Sequence, residues 1–111
     1  MYTFTRTDLP IEQQIVQSAH SALEAGRELG KPKSPSHLIL IGIKSQDALL
    51  KIADDLKQLG IKFHLFYEPD YNRGYTSLTT EPLETRHPYF FKHSLYRYKA
   101  EKSYSQQAEF I

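Results

Sequence analysis

The feature that most limits the fold of this chain is an unbroken apolar run, "HLILIGIK" at residues 37–44. The loop-forming stretch "KPKSPS" at 31–36 precedes it, and Ser45 follows it directly. A strand with one solvated face would alternate apolar and polar residues, whereas this run does not alternate. Such a run is typical of a strand buried on both faces of a parallel sheet, so we expect it to lie at the centre of the sheet.

An amphipathic helix is predicted at residues 11–29, before the apolar run. Asp8 can accept hydrogen bonds from the first free amides, Pro10 suits the first turn, and Gly30 favours a left-handed end. Apolar residues recur at three-and-four spacing, which predicts that this stripe packs on the sheet. The stripe consists of Ile11, Ile15, Ala19, Ala22, Gly26 and Leu29, flanked by Val16 and Leu23.

Three further strands and a second helix complete the pattern. Strands are predicted at 2–6, 61–68 and 75–81, and a helix capped by Ser45 is predicted at 46–59. Strands that alternate with helices favour consecutive βαβ units. We therefore expect an α/β fold of three layers, in which helices flank a four-stranded mixed sheet. The first three strands should be parallel and the last antiparallel.

The chain length and charge set the class of protein. A length of 111 residues suits one domain, and 14 Lys and Arg against 13 Asp and Glu leave no overall field to attract a membrane or nucleic acid. The absence of cysteine excludes disulfides and thiolate chemistry, and the N-terminus lacks the apolar core of a signal peptide. We expect a cytoplasmic protein with no membrane association.

An aromatic-rich extension at 84–111 is expected to follow the α/β domain at 1–83. Two interpretations of this extension stay open. In the first, its aromatic residues pack on the sheet as part of the core. These residues are Tyr89, Phe90, Phe91, Tyr96 and Tyr98. In the second, the rings stack on nucleic-acid bases while basic residues contact phosphates, namely Lys92, Arg97, Lys99 and Lys102.

Several chemistries lack their sequence motifs. The chain has no G-x-G-x-x-G, no G-x-x-x-x-G-K-[ST] and no G-x-S-x-G, which argues against dinucleotide, nucleotide and serine-hydrolase sites of the familiar kinds. The five histidines show no metal-ligand spacing. We expect neither a cofactor nor a metal.

Polar residues at the predicted strand ends are the remaining candidates, because ligands of open α/β sheets bind at the carboxyl ends of the strands. His20 lies near this end, at the edge of the helical stripe, and the sequence leaves open whether it is packing or chemistry. We expect it to be partly buried, with a ring nitrogen near a polar partner. The residues that follow the strands are Arg6, Thr7, Asp8, Lys44, Ser45, Glu68 and Asp70.

The order of several short motifs resembles the peptidyl-tRNA hydrolases of the archaeal and eukaryotic type over roughly residues 2–83. The motifs are "RTDLP" at 6–10, "QSAHSAL" at 17–23, the apolar strand "HLILIGI" at 37–43, "DLKQLGIKFHLFYE" at 55–68 and "GYTSLTTEPL" at 74–83. Each motif is weak alone, and their shared order and spacing are moderately specific.

The chain also departs from the family pattern. Gln13 stands where the family has a lysine implicated in catalysis, and the stretch from Asp8 to His20 is shorter by about two residues. The family aspartate falls at Glu68, or at Asp70. The loop that follows is shorter, with Asn72 or Arg73 in place of its threonine.

The resemblance implies hydrolysis of the ester that joins a peptide to tRNA. In that chemistry Glu68 would hold and activate the attacking water. A hydrogen bond to the oxyanion would come from Thr76, Asn72 or Gln13. His20 would orient the carboxylate or the oxyanion donor. The remaining candidates for binding substrate are Arg6, Asp8, Gln17, Lys44 and Arg73.

Lysines and arginines at the same end would contact the tRNA phosphates, Lys31, Lys33, Arg97 and Lys99 among them. The expected partner is tRNA, and a homodimer is one option. Two alternatives to a hydrolase stay open: a non-catalytic RNA-binding relative, and a protein-interaction or small-ligand domain on the same fold.

Overall fold

The protein folds as an α/β sandwich in a computed structural model that describes residues 1–30, 37–83 and 87–96. Strands β1 (Tyr2–Arg6), β2 (Ile39–Ile43), β3 (Phe63–Glu68) and β4 (Gly74–Thr80) form the sheet. Helices α1 (Ile11–Glu28) and α2 (Gln46–Leu59) lie on opposite faces of it, and 3₁₀ turns occur at Asp70–Asn72 and Pro88–Lys92. The predicted α/β class, three layers and element order are confirmed.

The sheet has the order β2-β1-β4-β3. β1 pairs in parallel with β2, and β4 pairs antiparallel with both β1 and β3. The first three strands therefore share one direction and β4 opposes them, as predicted.

The prediction that the apolar run forms a central strand is wrong, because β2 lies at an edge of the sheet. Its partner β1 is paired on the other side with β4. The outer edge of β2 is covered by a bridge between Ile41 and Leu95, with the Tyr96 amide donating to the Leu40 carbonyl at 2.9 Å. An apolar run indicates that both faces of a strand are covered, but it does not indicate whether the strand has neighbouring strands on one edge or on both.

The apolar core lies between the sheet and α2. Phe4, Ile41 and Leu78 from the sheet pack with Leu49 and Leu56 of α2, and all five are almost completely buried. Helix α2 has the predicted ends: the Ser45 hydroxyl accepts from the Ala48 amide at 3.1 Å, and Gly60 takes a left-handed conformation with φ 74°. Both devices satisfy backbone groups that a helix leaves free.

The C-terminal aromatics that the structure describes also join this core. The ring of Phe90 stacks on Tyr2 with 3.8 Å between centroids, and His93 packs edge-on against Phe4. The Tyr89 hydroxyl donates to Asp55 at 2.8 Å, and burial together with that carboxylate raises the pKa of Tyr89. These contacts agree with the packing interpretation, whereas Phe91 is exposed and Tyr98 lies outside the described residues.

Helix α1 packs on the sheet through polar and small residues, contrary to the prediction that its apolar stripe does so. Its buried residues are Gln14, Gln17, Ser21 and Ala25. Facing them, the hydroxyls of Thr3 and Thr79 lie 2.8 Å apart, and Ser21 Oγ lies 2.9 Å from Thr79 Oγ1. This face of the sheet is a layer of hydroxyl groups, so the complementary face of α1 is polar.

The start of α1 also differs from the prediction. Pro10 is the N-cap and no side chain among the described residues caps the helix, because the Asp8 carboxylate is paired with Arg6 instead.

We predict that Thr79→Val lowers the free energy of unfolding by about 1 to 3 kcal/mol, because it leaves the buried Thr3 hydroxyl without its partner and removes one of the two contacts of the Ser21 hydroxyl. Chemical denaturation with urea measures this loss. The matched control is the triple variant Thr3→Val, Ser21→Ala and Thr79→Val, which removes all three hydroxyls together. Its loss of unfolding free energy should be smaller than the sum of the losses in the three single variants. An unchanged stability of Thr79→Val would contradict a structural role for the hydroxyl layer.

Candidate functional site

The candidate site lies at the end of the sheet where β3 stops, β4 begins and the first turns of α1 pass over both strands. Gln17 of α1 lies at its centre and is only 1% exposed. Three side chains predicted from the sequence, Gln13, Glu68 and Thr76, hydrogen-bond to Gln17. The structure therefore brings together residues that are far apart in the chain.

Every polar atom of the Gln17 side chain is used. Its Nε2 donates to Gln13 Oε1 and to Glu68 Oε2, both at 3.2 Å, and its Oε1 accepts from the Thr76 hydroxyl at 3.0 Å. A buried amide without such partners would carry a desolvation cost of about 1 to 3 kcal/mol. The four side chains thus form one satisfied network that joins α1, β3 and β4.

An irregularity in β4 makes this network geometrically feasible. The β3 to β4 register shifts between Phe66 and Tyr67, so Thr76 has no partner on β3. Thr76 and Ser77 consequently both hydrogen-bond to Gln17. The Thr76 hydroxyl donates to the side-chain oxygen of Gln17, and the Ser77 hydroxyl donates to the backbone carbonyl of Gln17 at 2.6 Å. The bulge re-aims a side chain, which is a common function of bulges beside sites.

The network orients Gln13. Because the carboxylate of Glu68 only accepts hydrogen bonds, Gln17 must present Nε2 to it, and the same Nε2 requires the oxygen of Gln13. The Gln13 Nε2 group is then directed away from Gln17, and it makes no hydrogen bond within the part of the chain that the structure describes. Gln13 is half-buried and offers an amide donor beside Glu68.

Glu68 is ionised at neutral pH. The backbone N–H of Asp70, at 3.1 Å from Oε1, and the amide of Gln17 hold the pKa of the Glu68 carboxyl below its usual value, assisted by the charges of His20 and Arg73. Partial burial opposes this shift. Each carboxylate oxygen accepts one of these bonds and keeps a free lone pair for a water molecule.

Thr76 has a different role from the one predicted. It is fully buried and its hydroxyl proton is donated to Gln17, so it cannot also donate to a substrate oxyanion. Its geometry makes it a residue that positions Gln17.

His20 is exposed, so the prediction that it is partly buried is wrong. Its ring packs edge-on against Phe66 with 4.9 Å between centroids, and it makes no hydrogen bond to the described residues. The ring is near enough to Glu68 for its charge to favour the carboxylate form. His20 therefore lies beside the network rather than within it.

Arg6 and Asp8 pair with each other. Arg6 Nε and Nη2 donate to the two Asp8 oxygens at 2.9 and 2.8 Å, while Nη1 donates to the carbonyls of Arg73 and Tyr75 at 2.5 and 2.9 Å. The bidentate bond to Arg6 lowers the pKa of Asp8. These contacts occupy Arg6, so it holds the start of β4 and is not available for a phosphate.

The loop after β3 contains a residue that the sequence analysis missed. Tyr71 is 87% exposed, and both Tyr71 and Asn72 have left-handed backbones with φ of 57° and 54°. Asn tolerates this region, whereas Tyr rarely adopts it. The guanidinium of Arg73 lies 5.4 Å from the Tyr71 ring centroid, and its buried Nε lacks a hydrogen-bond partner in the described chain. No local signal distinguishes Tyr71 from an ordinary turn residue.

The other predicted cation, Lys44, follows β2 and is exposed. It lies at the same end of the sheet as Glu68 but three strand spacings away, about 14 Å at the usual separation. Lys31, Lys33, Arg97 and Lys99 fall outside the described residues. Lys44 and Arg73 are therefore the described cations that remain for a phosphate among those predicted.

The described residues contain no cluster of three His, Asp or Glu side chains that would hold a metal ion. Within the same ranges, no helix has both the length and the apolar character needed to cross a membrane.

Comparison with models of known protein families gives no match to this chain, and comparison with curated proteins finds no similar sequence.

We predict that the Glu68 carboxyl titrates below the usual value of about 4.3, because its ionised form accepts two hydrogen bonds. A lowered pKa in the folded state contributes stability above the unfolded pKa, and this contribution disappears as the pH falls through the folded pKa. NMR titration of the side-chain carboxyl carbon of Glu68 measures this pKa. Gln17→Leu should raise the midpoint. The matched control Gln13→Leu leaves the Gln17 donor in place, so its midpoint should stay at the wild-type value.

Proposed function

We propose that this chain is a peptidyl-tRNA hydrolase-like protein that cleaves, slowly, the ester between a peptide and tRNA in the cytoplasm. The observation that carries the proposal is the pairing of an ionised carboxylate, Glu68, with an outward amide donor, Gln13, by one buried glutamine. Ester hydrolysis needs these two functions side by side, because a water must be held and an oxyanion stabilised.

In this proposal, Glu68 holds the attacking water through its free lone pairs. The water oxygen bonds to the ester carbonyl carbon as its proton passes to Glu68, and the tetrahedral intermediate forms. Collapse of the intermediate breaks the bond to the ribose oxygen, which takes the proton back and leaves as the hydroxyl of tRNA. The lowered pKa of Glu68 makes it a weak base, which favours a low rate.

Gln13 Nε2 would donate to the oxyanion. Gln13 supplies a neutral amide where the peptidyl-tRNA hydrolases that this sequence resembles have a lysine, so one charged donor is missing. Loss of an oxyanion donor costs about 2.7 to 4 kcal/mol, a factor of about a hundred to a thousand in rate.

Binding of the tRNA end would combine phosphate contacts with ring stacking. Arg73 and Lys44 are the predicted cations that remain for phosphates among the described residues, and the exposed ring of Tyr71 beside Arg73 offers a flat surface to a base.

We predict that Glu68→Gln abolishes release of free tRNA from a peptidyl-tRNA substrate and leaves the salt dependence of tRNA binding unchanged. The carboxylate acts on the reacting water and contacts no phosphate. The slope of log affinity against log salt should be about −3 to −5 for four to six neutralised phosphates, a number that requires Lys31, Lys33, Arg97 or Lys99 to bind phosphates together with Lys44 and Arg73. Measurements are single-turnover cleavage and binding titrations at several salt concentrations.

The matched control is Asp54→Asn, which removes one negative charge from the exposed face of α2, on the opposite side of the sheet from α1. It should retain wild-type cleavage. Binding without cleavage by the wild-type chain would instead support a non-catalytic RNA-binding relative. Absence of both activities would exclude the two RNA functions and leave a protein-interaction domain.

The exposed Tyr71 specifically favours RNA binding, whether or not cleavage occurs. We predict that Tyr71→Ala weakens tRNA binding about 5- to 150-fold, because stacking on a base contributes about 1 to 3 kcal/mol. Tyr71→Phe keeps the ring and should bind as the wild type does. The salt slope should be the same in all three proteins, since no phosphate contact is lost. An equal loss in the Ala and Phe variants would argue against stacking.

A further inference from the structure

Helix α1 exposes its large apolar side chains to solvent. Ile15, Val16 and Leu23 are 63%, 44% and 62% exposed, and Ala19 and Gly26 on the same side are exposed too. These residues lie opposite the buried polar face that contacts the sheet. Contiguous exposed apolar surface on a folded domain usually marks an interaction site.

The spacing on this outward face is that of a helix-pairing seam. Glu12, Val16, Ala19, Leu23 and Gly26 follow one another at intervals of four, three, four and three residues. Residues at that spacing form a continuous seam along two helices that pack together. Ala19 and Gly26 are small, so a second helix can approach closely at these two positions. A Cβ at position 26 would have no atom of the described residues within 4 Å.

The seam complements itself in the antiparallel direction. Ile15, which borders the seam, and Leu23, which lies in it, are four residues on either side of Ala19, so each would contact the other across a two-fold axis through Ala19. Glu12 is in the first turn of α1 and Arg27 is in the last. Glu12 lies seven residues before Ala19 and Arg27 eight residues after it, so the same axis brings Glu12 of one copy close to Arg27 of the other, whereas a parallel pair would oppose like charges. Arg27 also pairs with Glu24 of its own helix at 3.1 Å, in an exposed position.

We propose that α1 forms the two-fold interface of a homodimer, in which the two helices pack antiparallel and cross at Ala19. A second copy is the occupant that the seam favours, because both its apolar pattern and its charges are self-complementary, as an isologous interface requires. A single helix pair is a small interface, so the dimer should be weak, with dissociation in the micromolar range. This proposal does not depend on the tRNA function.

Sedimentation equilibrium of the full chain, from low micromolar to submillimolar concentration, tests the assembly. The wild type should shift from monomer to dimer. Leu23→Glu should weaken the dimer at least about tenfold, because it places a charge in the seam, and should keep the thermal unfolding midpoint of the monomer. The matched control Leu38→Glu changes another exposed leucine away from α1 and should dimerise as the wild type does.

A charge exchange tests the antiparallel geometry. Glu12→Arg and Arg27→Glu should each weaken their own homodimer, because each creates two repulsive contacts. An equal mixture of the two variants should form a heterodimer at wild-type strength, since both contacts are then attractive, and native mass spectrometry distinguishes it by mass.

Two results would overturn the proposal. One is a wild-type chain that stays monomeric at every concentration, which would point to a different occupant for this face, such as residues 97–111 of the same chain or another protein. The other is a dimer that neither Leu23→Glu nor the charge variants weaken.

Discussion

The arrangement of this protein depends on the burial of one amide, the side chain of Gln17. A buried amide must satisfy two donors and its acceptor, and here the partners come from α1, β3 and β4 together. The bulge at Thr76 supplies one of them, and the end of β3 supplies another through Glu68. The network therefore joins three elements and at the same time orients the groups that face the candidate site.

The polar underside of α1 explains two features that otherwise seem unrelated. The hydroxyl layer of the sheet, with Thr3, Thr79 and Ser77, accepts a helix whose inner face is also polar. The apolar residues of α1 then have no place in the core and lie in solvent. One choice of helix face thus creates both the Gln17-centred site and an outward seam suited to a second copy.

The two faces of the sheet contribute different interactions to the fold. The α2 side contains the apolar core, to which the segment around Phe90 adds its stacked ring. This side provides most of the hydrophobic stabilisation. The α1 side contributes hydrogen bonds and little apolar burial, so it can place charged and amide groups at the carboxyl ends of the strands.

Local patterns in the sequence determined which segments are helices and strands, where α2 begins and ends, and that three strands share a direction. Ser45 and Gly60 act on their own neighbours, and βαβ connections constrain direction, so these features are readable without a structure. The chain positions of Gln17 and Glu68 were also recognisable as candidates. Only the tertiary structure decided the edge position of β2, the outward face of α1, the burial of Thr76 and the orientation of Gln13. Each of these depends on a partner distant in the chain, such as β4 beside β1 or Thr76 bonded to Gln17, and periodicity carries no information about that partner.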